Sequence, residues 1–124
     1  MPTGNRGEKM IIDNKNFYLL WGDALQSDNR DRYVSEWSTS SIWRLPEELG
    51  DNDLLGAADK LGQIWDIAHM SVKGICQAAG LTQAALAQRF CIPKRTIEDW
   101  CTAKRTPPDY IRLMMAEALG IIKR

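Results

Sequence analysis

Three cysteines and one histidine are the residues of this chain best suited to covalent or metal chemistry: Cys76, Cys91, Cys101 and His69. A nucleophilic thiol needs a lowered pKa and a base oriented beside it. The single His, two residues before Ser71, reads as a helix-end residue rather than a base or a ligand. A structural zinc site needs four ligands at tight spacing, and no CxxC pair occurs. No glycine-rich phosphate loop is present either. These residues therefore predict no enzyme, no metal and no cofactor. Cys76 reads as a small buried hydrophobe and Cys101 as partly buried. An odd cysteine count without an apolar N-terminal leader points to a reducing cytoplasm.

The second kind of chemistry available is charge. The 124 residues carry 16 basic and 16 acidic side chains, yet they are unevenly placed. Residues 1–70 hold 7 basic and 12 acidic groups, a net of −5, and residues 71–124 hold 9 and 4, a net of +5. Such a polar chain suggests two functional halves, with the basic one facing an anionic partner. Lys94, Arg95, Lys104 and Arg105 concentrate its charge. A lone cluster of that kind would be read as an ordinary solvated face. At 44% apolar and 26% charged residues the chain is globular, with one domain or two very small ones. Its length excludes a large α/β enzyme core. No run of eighteen apolar residues exists, so no membrane span is expected.

Positioning these groups requires helices. Residues 1–15 are expected to be a flexible tail, with a trace of strand alternation only at 10–12. Phe17, Leu20, Trp21 and Ala24 recur at helical spacing over 16–26. Residues 28–31 look like a turn or a capped helix start, and 32–37 form a short amphipathic helical piece. Residues 38–41 read as a loop, and Pro46 as the first turn of a further helix. Asp53 can cap the next helix, whose stripe is Leu54, Ala57, Ala58, Leu61, Ile64, Trp65 and Ala68. Gly56 and Gly62 weaken it. Ser71 is an N-cap for 72–79, which Gly80 ends. Thr82 caps a helix through Phe90, Pro93 begins another through about Thr102, and Pro107-Pro108-Asp109 starts a last one. That last helix is expected to bury Ile111, Met114, Met115, Ala118 and Leu119 and to end at Gly120. The fold class is all-α.

Within 83–100 the apolar positions are Leu86, Phe90, Ile92, Ile97 and Trp100, with a small Ala87 where a second helix would cross. This is helix-turn-helix spacing: Leu86 and Phe90 come from the first helix, Ile92 plugs the turn, and Ile97 and Trp100 come from the second. At these residues the chain resembles the lambda-repressor/Cro-type, or XRE-like, helix-turn-helix family. The resemblance rests on Gly80-Leu81-Thr82-Gln83, Leu86-Ala87, Ile92-Pro93, Thr96-Ile97, Trp100 and Lys104-Arg105-Thr106-Pro107-Pro108. It covers less than half the chain. It implies a five-helix domain over 71–124 whose third helix enters the DNA major groove. Two positions depart from the family. The turn residue usually held by Gly is Cys91, and the Glu-x-Gly that commonly follows the Trp is Cys101-Thr102-Ala103.

Site residues follow from the resemblance one by one. Gln83 would meet a phosphate at a helix start. Lys94, Arg95 and Thr96 would open the recognition helix, with Arg95 placed for a bidentate contact to guanine. Asp99, one turn on, would accept from cytosine or repel the wrong DNA. Lys104 and Arg105 would meet backbone phosphates. Embedded in this motif, the cations read as a DNA footprint. The implied function is sequence-specific binding of double-stranded DNA, as a repressor-like transcriptional regulator of the phage, plasmid or mobile-element type, working as a homodimer. The alternative is a protein-binding module reusing the fold, such as an antitoxin or an inhibitor of a nucleic-acid enzyme. Glu98 and Asp99 keep that alternative open, because they make the helix face mixed in charge. The acidic helical region 16–70 is a candidate dimerisation or partner-binding unit. Trp21 and Trp65 read as core, and Trp37 and Trp43 either anchor an interface or close a small core.

Overall fold

The computed structural model describes residues 12–39 and 51–124, with the backbone alone for 51–55. Among the described residues there are seven helices and no strand: α1 Asn14–Gln26, α2 Arg30–Ser38, α3 Asp51–Ala68, α4 Val72–Ala79, α5 Gln83–Phe90, α6 Lys94–Cys101 and α7 Asp109–Ala118. The all-α expectation holds. No described helix is long and apolar enough to cross a membrane. The expected helix start at Pro46, the core-or-interface role of Trp43 and residues 40–41 of the expected 38–41 loop lie outside the described residues, and Ser38 is the last residue of α2 rather than loop.

The chain divides into two compact units between Asp66 and Ile67, with Arg124 grouped with the first. The first unit is organised around α1. Structure begins earlier than the expected end of the tail at residue 15. The Asp13 carboxylate accepts from the Asn16 backbone N–H at 2.8 Å, which caps α1, and Ile12 is buried. Phe17, Leu20, Trp21 and Ala24 form its buried face, as their spacing predicts. Asn29 caps α2, so the 28–31 segment is a capped helix start. α2 buries Tyr33, whose phenol donates to the Leu20 carbonyl at 2.7 Å. Burial, reinforced by the Asp23 charge, pushes that phenol above its ordinary pKa. α3 begins at Asp51, so Asp53 lies inside it rather than at its cap. Gly62 has a role there. A Cβ at Gly62 would strike the Arg30 guanidinium, whose Nε and Nη2 donate to the Asp66 carboxylate at 2.8 and 3.2 Å. Trp65 is half-buried rather than core, and its indole N–H donates to the Ser27 hydroxyl at 3.3 Å.

The second unit holds α4 to α7 and begins at Ile67, four residues before the sequence boundary at Ser71. Its early start has a packing reason, since Met70 lies against this unit's core and crosses Gly74, where a Cβ would meet Met70 Cγ at 2.8 Å. The unit has four complete helices, not five, because the chain after α6 runs through the 102–108 connection directly into α7. Val72, Ile75, Cys76, Leu86, Ala87, Ile97 and Met115 form the buried core, with Phe90, Ile92, Trp100 and Cys101 packed against it.

All four helices end in the same way. A residue in left-handed conformation follows each, at Gly80 (φ 69°), Cys91 (55°), Ala103 (62°) and Gly120 (75°). The next N–H reaches back to a carbonyl of the last turn in every case: Leu81 to Cys76 at 2.9 Å, Ile92 to Ala87 at 3.0 Å, Lys104 to Asp99 at 2.9 Å and Ile121 to Ala116 at 2.8 Å. This is the Schellman arrangement, which satisfies carbonyls that the helix itself leaves open. α7 is rotated from its expected phase. Leu113, Met115 and Ala116 are buried, whereas Met114 and Ala118 are exposed. The Arg112 side chain turns inward instead, and its Nη1 donates to the Met70 carbonyl at 3.1 Å.

Candidate nucleic-acid interface

α5 and α6 are joined by Cys91, Ile92 and Pro93 alone. Thr82 caps α5, its hydroxyl accepting from the Ala85 N–H at 3.0 Å. Leu86 and Ala87 of α5 and Ile97 of α6 belong to one buried cluster, through which the two helices pack. The left-handed Cys91 makes so short a turn compatible with both helices. Such a conformation costs a non-glycine residue roughly 1–2 kcal/mol. The conformation expected of a Gly is thus retained without one.

α6 starts without a side-chain cap, because Pro93 occupies that position. Its positive dipole end is therefore open toward solvent, and the two residues there, Lys94 and Arg95, are both exposed. Thr96 beside them is half-buried. Gln83 is half-buried at the first position of α5. Lys94 Nζ lies 4.0 Å from Glu98 Oε2, with the two side chains 61% and 48% exposed. Glu98 is thus the carboxylate that shares the exposed face with Lys94.

Asp99 lies elsewhere. Its side chain is only 13% exposed, and its Oδ2 is 3.6 Å from Arg105 Nε. The Asp99 carbonyl accepts from the N–H groups of both Lys104 (2.9 Å) and Arg105 (3.2 Å). The left-handed turn at Ala103 folds residues 103–105 back over the end of α6. The helix period cannot reveal that cover, since it comes from the following loop. Lys104 and Arg105 are exposed on that loop. Of the two carboxylates expected to make this face mixed in charge, Glu98 is exposed beside Lys94 at i+4 spacing and Asp99 is withdrawn from it. Arg89 turns away from this surface toward α7, where its Nη2 lies 3.5 Å from the Ala118 carbonyl.

Comparison with family models, with curated proteins and with solved structures gave no match for this chain.

Proposed function

We propose that the second unit binds double-stranded DNA in a sequence-specific manner, as a repressor-like regulator related to the lambda-repressor/Cro type. The observation that carries this reading is the uncapped, cationic first turn of α6, with Lys94 and Arg95 exposed on a helix packed across α5. A helix entering the major groove reads bases with its N-terminal residues. Arg95 reads guanine, Glu98 accepts from a neighbouring cytosine, and Lys104 and Arg105 hold phosphates. Thr96 and Gln83 flank that contact at two helix starts. Asp99 acts through Arg105 and the 103–105 loop, as a positioning residue. The same reading makes the protein a cytoplasmic homodimer on a palindromic site, with the acidic first unit as the candidate dimerisation or partner-binding unit.

A second reading has its own support. Lys94 is paired with Glu98 and Arg105 with Asp99, so two cations of the face are partly neutralised. A mixed face of that kind suits a protein partner, as in an antitoxin or an inhibitor of a nucleic-acid enzyme. Selection of bound sequences from random duplexes, with a mass measurement of the free protein, separates the two. Enrichment of a palindromic site supports the regulator. Failure to retain any duplex at low salt leaves the protein-partner reading.

A further inference from the structure

The helix α1 carries two apolar stripes, and the first unit buries one of them, made of Phe17, Leu20, Trp21 and Ala24. On the opposite side Lys15, Tyr18, Leu19, Gly22, Leu25 and Gln26 recur at helical spacing. Tyr18 is 77% exposed and Leu19 48%. Both line an open groove of about 620 Å³, together with Gly22, Leu25 and Trp37. A Cβ at Gly22 would meet nothing within 4 Å, so the helix backbone there is open to close approach. Asp23 is the one charged residue lining the groove. Its Oδ2 accepts from the Trp37 indole N–H at 2.6 Å, which fixes that ring at the edge. An exposed apolar surface with a polar rim marks an interaction site.

We propose that a second copy of this chain docks on this face, α1 against α1 in antiparallel sense. The proposal gives a surface to the homodimer of the reading above and rests on that part of the reading alone. An isologous interface needs a projection and its matching recess on one surface. Leu19 projects, and Gly22 leaves a recess one turn further on. A two-fold axis between them seats Leu19 over the partner's Gly22 and the partner's Leu19 over Gly22.

Charge selects the same pairing. Lys15 and Asp23 are both exposed, toward opposite ends of α1. The antiparallel axis brings Lys15 within one helical turn of the partner's Asp23. A parallel pair would set Lys15 against its own copy and Leu19 against Leu19, with the recess unused. Size sets the strength. Thirteen residues make a helix about 20 Å long. One face of such a helix, with Trp37 beside it, offers less than the about 800 Å² per partner of a standard interface. The dimer is therefore expected in the micromolar range.

The test measures the solution mass of the full chain against concentration, without DNA, from about 1 μM to about 1 mM. Wild type should pass from monomer to dimer across that range. Leu19→Gln removes the projection and Gly22→Leu fills the recess. Each should weaken dimerisation about tenfold or more, because each change acts twice in a two-fold interface. Both positions are exposed in the single chain, so folding should survive either change. Gly22→Leu should even strengthen the isolated helix, so a dimer lost with it is not lost through unfolding. Met114→Gln, at a 59% exposed apolar position on α7, should leave the dimer intact. Unchanged dimerisation in Leu19→Gln and Gly22→Leu would overturn the assignment to α1, whatever Met114→Gln does. A chain monomeric at every concentration would overturn the proposal and leave the groove to another partner or to another segment of this chain. Failure of the DNA-binding reading shows separately, as no retained duplex with the dimer intact.

Discussion

The Asp99 carboxylate lies 3.6 Å from Arg105 Nε, and the Asp99 carbonyl receives the N–H groups of Lys104 and Arg105 at 2.9 and 3.2 Å. One residue thus holds the loop that carries both exposed cations, Lys104 and Arg105. Its neighbour Glu98, not Asp99, shares the exposed face of α6 with Lys94. Asp99→Asn should leave base preference unchanged and lower stability by less than about 1 kcal/mol, since the Arg105 side of the pair is well exposed. Glu98→Gln should change the preferred base at one position of the site. Sequence selection from random duplexes with each variant checks both outcomes.

Cys91 and Ala103 occupy left-handed backbone at φ 55° and 62°. Glycine adopts that conformation without a Cβ penalty. Cys91→Gly and Ala103→Gly should each raise stability, by up to about 1 kcal/mol, and the two gains should add because the turns share no partner. Denaturant midpoints of the two single variants and the double variant measure this. A fall in midpoint at either position would mean that the native side chain contributes packing that outweighs the strain.

Gly22 and Gly62 both sit inside helices, and they should respond differently to alanine. A Cβ at Gly22 meets nothing within 4 Å, whereas one at Gly62 strikes the Arg30 guanidinium. Gly22→Ala should therefore gain about 1 kcal/mol from helix propensity. Gly62→Ala makes the same gain but displaces Arg30 from Asp66. That pair is nearly half exposed on both sides, so its loss costs about 0–1 kcal/mol. The net change at Gly62 should be close to zero. Tryptophan fluorescence against denaturant reports on the unit that holds Trp21, Trp37 and Trp65.

Tyr33 sets an alkaline limit on stability. Its phenol is buried, donates to the Leu20 carbonyl and has its pKa raised by burial and then by Asp23. A raised folded-state pKa contributes stability that is complete below the unfolded value of about 10 and is lost as pH rises from there toward the folded value. Wild-type midpoints should hold to about pH 10 and then fall. Tyr33→Phe should start about 1 kcal/mol lower, from the lost hydrogen bond, and should lack that Tyr33-linked alkaline loss. Parallel denaturation series on either side of pH 10 compare the two slopes.

The helices and their caps were largely legible before the structure. Ser71 and Thr82 carry short oxygens that accept from the first turn, and Gly80 and Gly120 have the freedom that a left-handed helix end requires. Ala103 carried no such mark, because alanine has no preference for the conformation it takes. The phase of α7 was misjudged for a related reason. Methionine packs on either side of a helix, and Arg112 spends an inward position on a carbonyl rather than on apolar contact, so apolar spacing pointed to Met114 and Ala118 instead of Leu113 and Ala116. In the candidate interface, Lys94, Arg95, Lys104 and Arg105 are exposed as expected. The placement of Asp99 was not legible, because the loop that covers it folds back through a residue whose identity gives no hint of a turn.

Binding titrations at several salt concentrations, on a selected duplex and on a scrambled one, test the proposed DNA-binding function most directly when wild type is compared with Arg95→Ala and Lys104→Ala. Arg95→Ala should cost roughly 1–3 kcal/mol on the selected duplex and much less on the scrambled one. Lys104→Ala should weaken both alike and flatten the salt dependence by about one unit of slope. Equal loss on both duplexes with Arg95→Ala would contradict base reading by α6. No change with either substitution, or no duplex binding by the wild type at low salt, would contradict DNA binding altogether.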